Sequence, residues 1–263
     1  MLKLSEIWIY PVKSLGGIRM ASAEVMPKGL RYDRRWILID HENKFMTQRE
    51  HPRMALFKMS LDQNKLQIHY SGETLDLFPD LDPQGEPVQT IVWNDQVSVN
   101  EVSPSHSSWI SERLGHPCRL MAFPEKNSRP VDKKYSLNDD HVSLADGYPF
   151  LIIGQASLDD LNSRMNVPVP MNRFRPNFVF TGGKAFEEDQ WKEFYIGDVK
   201  FTAVKPCARC VLTTVDQETA EKGKEPLKTL ATFREQNNNV LFGMNLLGPG
   251  SGVVMVGDEI RKG

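Results

Sequence analysis

The chain has 263 residues, of which 40% are hydrophobic, 25% charged and 9% aromatic, with 18 Gly and 17 Pro. This composition excludes disordered and collagen-like classes and leaves room for one large domain or two modest ones. Lys and Arg total 32 against 34 Asp and Glu, a net charge of -2, so the chain lacks the basic excess of a general nucleic-acid binder and any anion site must be local.

From the amino terminus, Met1-Leu2-Lys3-Leu4-Ser5-Glu6 meets a carboxylate before an apolar run develops, so no signal peptide is expected there. Period-2 or compact apolar segments at 4–9, 36–39, 66–70, 88–93 and 97–102, separated by Gly, Pro, Asn and Asp clusters, predict strands. Asn94-Asp95 predicts a hairpin turn. A helix is expected over 107–114, stopped by Gly115 with Pro117 beyond. The polar, aperiodic stretch 124–140 reads as a loop or connector. A second helix is expected over 158–165, with Ser157 and Asp160 as a capping box. Gly197-Asp198 predicts a turn between strands at 193–196 and 199–204, and Val211 to Val215 reads as strand. A third helix follows from Pro226 to about Gln236, and strands return at 240–244 and 253–260. No apolar run approaches the roughly 20 residues that span a bilayer, so a soluble protein without a membrane partner is expected.

The sharpest local signal is Lys205-Pro206-Cys207-Ala208-Arg209-Cys210, two thiols beside two cations. A neighbouring cation favours thiolate, which is both nucleophile and soft metal ligand. Three explanations stand. Half of a zinc site needs two more ligands, yet there is no second CxxC and no His after His141. A redox pair normally opens a helix, whereas β-branched residues follow here. Small buried hydrophobes at a strand start are the third. Three cysteines in all, with Cys118, make no disulfide framework and suit a reducing cytoplasm. Basic residues also stand in tight turns: Tyr10-Pro11-Val12-Lys13-Ser14-Leu15-Gly16-Gly17 places an ammonium and a hydroxyl beside paired glycines. Asp33-Arg34-Arg35-Trp36 enters a strand with guanidiniums directed to opposite faces. Asn172-Arg173-Phe174-Arg175-Pro176-Asn177 repeats the theme, and Arg suits bidentate phosphate binding. Each segment alone is better explained by solvated surface cations, and Asp146 in Asp146-Gly147-Tyr148-Pro149 by a turn. P-loop and dinucleotide fingerprints are absent.

Together these segments resemble the MOSC family, and more closely its members with an extra N-terminal β-barrel domain, the amidoxime-reducing components among them. The resemblance rests on Tyr10 to Ser14, Gly29-Leu30-Arg31 with Asp33 to Trp36, Asp146 with Pro149 to Ile152, Ala156-Ser157-Leu158, Asn162-Ser163-Arg164, Phe174 to Asn177, Ile196 to Val199, and Cys207 through Asp216. It implies a mainly β fold: a smaller N-terminal β-barrel domain over 1–122 and a MOSC β-barrel domain over 123–263, with a few short helices. It further implies a molybdenum cofactor (molybdopterin) between the two, with Cys210 as metal ligand. Lys13, Ser14, Arg34, Arg175, Asn177 and Arg209 fall at cofactor-binding positions, and Asp146 at an acidic catalytic position near the metal. A family-level association with pyridoxal phosphate comes with the same resemblance. Gly147-Tyr148 replaces a hydroxyl-bearing pair, and Ala208 stands where Ser is expected.

The activity so implied is reduction of small N-hydroxylated substrates, such as hydroxylamines, N-hydroxylated bases and amidoximes, in the cytoplasm. Some relatives carry a ferredoxin domain, whose cluster needs four cysteines; with three here, electrons are expected from a separate donor of ferredoxin or flavoprotein type. A carrier of the cofactor or its sulfurated form, and a purely structural β protein, are the rivals.

Overall fold

The computed structural model describes residues 1–79, 83 and 85–263. Seven strands close a barrel in the order Phe150–Gly154, Phe178–Thr181, Leu2–Ile9, Glu259–Lys262, Glu193–Ile196, Val199–Ala208 and Asn239–Leu247, the last pairing back onto the first. The fold is mainly β. Its barrel recruits the first strand of the chain, which lies between strands from the far end of the sequence.

The pattern of that first strand explains its geometry. Leu4, Ile7 and Ile9 are buried, a spacing that strict alternation forbids, and the register against Phe178–Thr181 shifts between Leu4 and Glu6. A β-bulge absorbs the extra residue and turns Ile7 and Ile9 inward. Phe150–Gly154 is buried on both faces. Phe150 and Ile152 join the main core, while Leu151 and Ile153 pack with Leu158 and Leu161 of the helix Gln155–Ser163. That helix connects Phe150–Gly154 to the parallel strand Phe178–Thr181, the crossover that parallel pairing demands. Inside the barrel, Phe150 stacks on Phe178, and Phe201 meets both edge-on at 5.3 Å.

The first half of the chain adds a four-stranded antiparallel sheet, ordered Trp36–Ile39, Arg119–Ala122, Asp95–Glu101 and Pro87–Val92, and a meander of Lys58–Asp62, Lys65–Tyr70 and Glu73–Leu77. One apolar cluster runs from Met59, Leu66 and Ile110 through to Phe194 and Phe201, so the meander side and the barrel share a core. The connector after Ala122 has no strand or helix until Phe150. Its backbone is pinned by Lys28 Nζ, which donates to the carbonyls of Glu125 and Asn127.

Several expected elements are shifted. The first helix is Pro104–Leu114, three residues earlier than its apolar periodicity implies, because Ser103 accepts from His106 N–H and Pro104 opens the first turn. Gly115, at φ 72°, ends it as expected. The capping box at Ser157 does not form. Gly154 is the N-cap, Ser157 lies inside the helix, and its hydroxyl serves the buried Glu188 carboxylate and the Phe186 amide. The third helix is Leu227–Arg234, after which the chain returns to a short strand at Glu235–Gln236. Val211 to Val215 is not a strand. Val211–Thr214 is a 3-10 turn, tied by Thr213 N–H and Oγ1 to the Cys210 carbonyl, and this local bonding overrides β-branched propensity.

Candidate functional site: a cationic cleft around Cys210

The first strand ends at Ile9, and the chain then turns beneath the segment 33–36. Lys13 N–H donates to Trp36 O, Trp36 N–H to Pro11 O and Arg34 N–H to Tyr10 O, while the fully buried Asp33 accepts from Tyr10 N–H at 2.8 Å. Zipping these two segments together places Lys13, Ser14 and Arg34 on one wall of a cleft. Arg175 and Asn177 come from the turn before Phe178–Thr181, Arg209 and Cys210 from the end of Val199–Ala208, and Asp146 from the connector. All eight residues singled out from the sequence therefore meet in one cleft. Asp146, with 62% of its side chain exposed, marks where the cleft opens.

Three of the eight, Ser14, Arg34 and Arg175, hold φ of 68°, 49° and 54°. Non-glycine residues adopt this left-handed region at a cost, and strain retained in a ligand cleft points to function. The turns aim side chains where an ordinary backbone would not.

Each cation is braced on main chain. Lys13 Nζ donates to Leu144 O at 2.8 Å and to Asp146 Oδ1 at 2.6 Å. Arg34 pairs with Asp33 at 2.7 Å and donates to Arg175 O, and Arg175 donates to Leu15 O at 2.7 Å. Arg209 donates to Phe174 O at 2.6 Å and to Cys207 Sγ at 2.9 Å. The guanidiniums of Arg34 and Arg175 stack on Tyr10 at 4.3 and 4.2 Å. Asn177 spends its amide on structure, accepting from Leu151 N–H and donating to Trp8 O, so it stiffens the wall.

Arg49 and Trp93, not anticipated from the sequence, stand beside the cleft, against Cys210 and Asp146. Arg49 Nε donates to Cys210 Sγ at 3.2 Å, and its Nη2 lies 3.5 Å from Asp146 Oδ2. Trp93 donates to Asp146 Oδ1 at 3.1 Å and carries the Arg49 guanidinium over its ring at 4.3 Å. Arg49 sits in Thr47-Gln48-Arg49-Glu50, a polar run with no period or motif to flag it. The sequence puts Trp93 at the end of the strand 88–93 with the turn at Asn94-Asp95, whereas in the structure Trp93 stands in the turn itself, at φ 61°, between Pro87–Val92 and Asp95–Glu101.

Electrostatically, Lys13, Arg34, Arg49, Arg175 and Arg209 face the carboxylates of Asp33 and Asp146, an excess of positive charge. Burial pushes the Arg175 guanidinium down to about 10, with Arg34 adding to the effect; it stays protonated at neutral pH. Burial, then Arg129 and Arg34, lowers Lys13, against the opposing pull of Asp146. Desolvation in the cleft would raise Asp146, but Lys13, Arg49 and the Trp93 N–H outweigh it and hold the carboxyl well below the usual carboxylate range. Donors also remain unused: Arg175 Nη2 and Arg209 Nε are buried without a partner. Buried donors are rarely left unpaired, so these atoms fit an anionic ligand, and the half-buried Cys210 thiol fits a soft metal.

The sequence comparisons agree with this architecture. Residues 1–117 match the MOSC N-terminal beta barrel domain, and residues 139–261 match the MOSC domain. The chain belongs to the MOSC family, in the branch with the N-terminal barrel domain. It is 34% identical to mitochondrial amidoxime-reducing component 1 of Mus musculus, over 98% of this chain and 81% of that protein. Identity to the Homo sapiens protein of the same name is also 34%, over 98% and 82%. Molybdenum cofactor sulfurase of Oryza sativa subsp. japonica is 30% identical over 93% of this chain, which spans 32% of that larger protein.

Proposed function

We propose that the protein is a molybdenum-cofactor-dependent reductase that converts N-hydroxylated compounds to amines or amidines, R–NHOH + 2e⁻ + 2H⁺ giving R–NH₂ + H₂O. The observation that carries this is the convergence of four cations, Lys13, Arg34, Arg175 and Arg209, with two buried unpartnered guanidinium nitrogens and the half-buried Cys210 thiol in a single cleft, and Arg49 set against that thiol. When bound, the cofactor supplies a metal centre that exchanges electron pairs with the N–O bond. Cys210 holds the metal through its thiolate. Arg34, Arg175, Arg209, Lys13 and Ser14 seat the phosphate of the pterin, each charge-assisted bond strengthened by burial. Asn177 keeps their wall rigid. Asp146, held ionised, fixes Lys13 and Arg49, and its low proton affinity makes that role electrostatic. Electrons come from a separate donor protein of ferredoxin or flavoprotein type, and the setting is cytoplasmic.

The similarity to a cofactor sulfurase keeps a second reading, that of a carrier which holds the cofactor without turning over a small substrate. Protein isolated from cells that make the cofactor, with metal and pterin quantified, should reduce a hydroxylamine or benzamidoxime with an artificial reductant. Near-stoichiometric metal without amine formation would favour the carrier, and protein free of metal would reject both.

A further inference from the structure

Arg49 differs from the cations of the cleft. Lys13, Arg34, Arg175 and Arg209 each spend donors on backbone carbonyls, as bracing residues do. The Arg49 guanidinium instead touches Cys210 Sγ, the Asp146 carboxylate and the Trp93 ring. It is delivered from the first half of the chain to a thiol in the second. The main-chain carbonyl of Arg49 accepts from Lys222 Nζ, a contact that side-chain substitution leaves in place. Trp93, which positions the guanidinium, is itself strained at φ 61° and 44% exposed, and its Nε1–H is committed to Asp146.

A metal-bound thiolate still accepts from Arg49 Nε–H, but a guanidinium carries five N–H donors, and with Nε on Cys210 Sγ and Nη2 3.5 Å from Asp146 Oδ2 Arg49 has donors left to offer beside the metal. We propose that Arg49, steadied by Trp93, reads the substrate: it donates to an acceptor atom on neutral or anionic N-hydroxylated compounds and disfavours cationic ones. This rests on the reductase reading above and adds the charge class of the substrate. A unit charge about 5 Å away, in surroundings close to water in dielectric, changes a rate or affinity about five- to tenfold.

The test has two arms. In cofactor-free protein, Cys210 is alkylated by iodoacetate or iodoacetamide, the sulfur bonding to the methylene carbon and displacing iodide into solvent, and the modified peptide is quantified by mass spectrometry. The ratio of the two rates cancels the thiolate fraction and reports only the reagent's charge. The folded wild type should favour iodoacetate more strongly than the same protein unfolded in urea. Arg49→Met and Arg49→Gln should each lower the ratio about fivefold, while Arg49→Lys keeps it; two neutral variants guard against one that fails to fold. In metal-loaded protein, kcat/KM for a carboxylate-bearing benzamidoxime over a trimethylammonium-bearing one should fall by a similar factor in the neutral variants. Ratios unchanged by loss of the guanidinium in either arm would overturn the proposal. If the alkylation ratio responds as expected but loaded wild type reduces neither amidoxime, the reductase reading fails, while charge discrimination by Arg49 at Cys210 stands.

Discussion

Replacing Arg175 by Met separates a binding residue from a structural one by sign. In the folded protein Arg175 is 8% exposed, lies near the like-charged Arg34 and has one guanidinium nitrogen without a partner. The drop in its proton affinity, from the ordinary arginine value to about 10, corresponds to about 3 kcal/mol of unfavourable burial. Against this stand its hydrogen bond to Leu15 O and its stacking on Tyr10, about 1 kcal/mol each. An unbranched Met fills much of the same space without the charge. The cofactor-free variant should therefore be as stable as wild type or about 1 kcal/mol more stable, a rise of about 2 to 4 °C in Tm. Its capacity to retain pterin and metal should collapse, because an anion is what offsets the buried charge. Thermal and urea unfolding of cofactor-free protein, beside metal and pterin content of protein isolated intact, measure both sides. A variant that loses more than about 2 kcal/mol of stability yet keeps its cofactor would refute the assignment, since Arg175 would then be a structural cation.

Cys210→Ser should leave folding intact and abolish metal retention, whereas Cys207→Ser, whose thiol faces Arg209, should keep metal; elemental analysis of the two variants decides. Asp146→Asn removes the negative charge paired with buried Lys13 and should cost about 1 to 2 kcal/mol, a value discounted for the exposed carboxylate. Because the folded carboxyl is shifted down, this contribution is present above the ordinary aspartate pKa and fades as pH falls through the lower folded value. The Tm gap between variant and wild type should accordingly be constant near neutrality and narrow below about pH 4. Gly29→Ala should destabilise by about 1 to 3 kcal/mol: the residue holds φ 120°, and an added Cβ would lie 2.9 Å from the Pro149 carbonyl. Because Pro149 adjoins Gly147-Tyr148 in the cleft wall, metal content should fall alongside Tm.

What the sequence determined by itself is local. The bulged alternation of Leu2–Ile9, the doubly buried run Phe150–Gly154 and the glycine stop at Gly115 follow from side-chain period and backbone sterics, which act within a few residues. The thiol-and-arginine run before Val211 and the basic turns at 13–14, 34–35 and 173–175 were legible as unusual chemistry, because charged residues at turn and strand-entry positions invite explanation. Other features were decided only in three dimensions. The left-handed conformation falls on Ser14, Arg34 and Arg175 themselves, none of them a glycine that would announce it; tertiary hydrogen bonds such as Arg34 N–H to Tyr10 O hold them. Val211–Thr214 coils against its propensity because the Cys210 carbonyl has donors at hand. Arg49 and Trp93 reach Cys210 and Asp146 across more than 50 residues of sequence, a meeting that neighbouring residues cannot encode. It depends on the first strand lying between strands from the other end of the chain, and that register is fixed by long-range pairing.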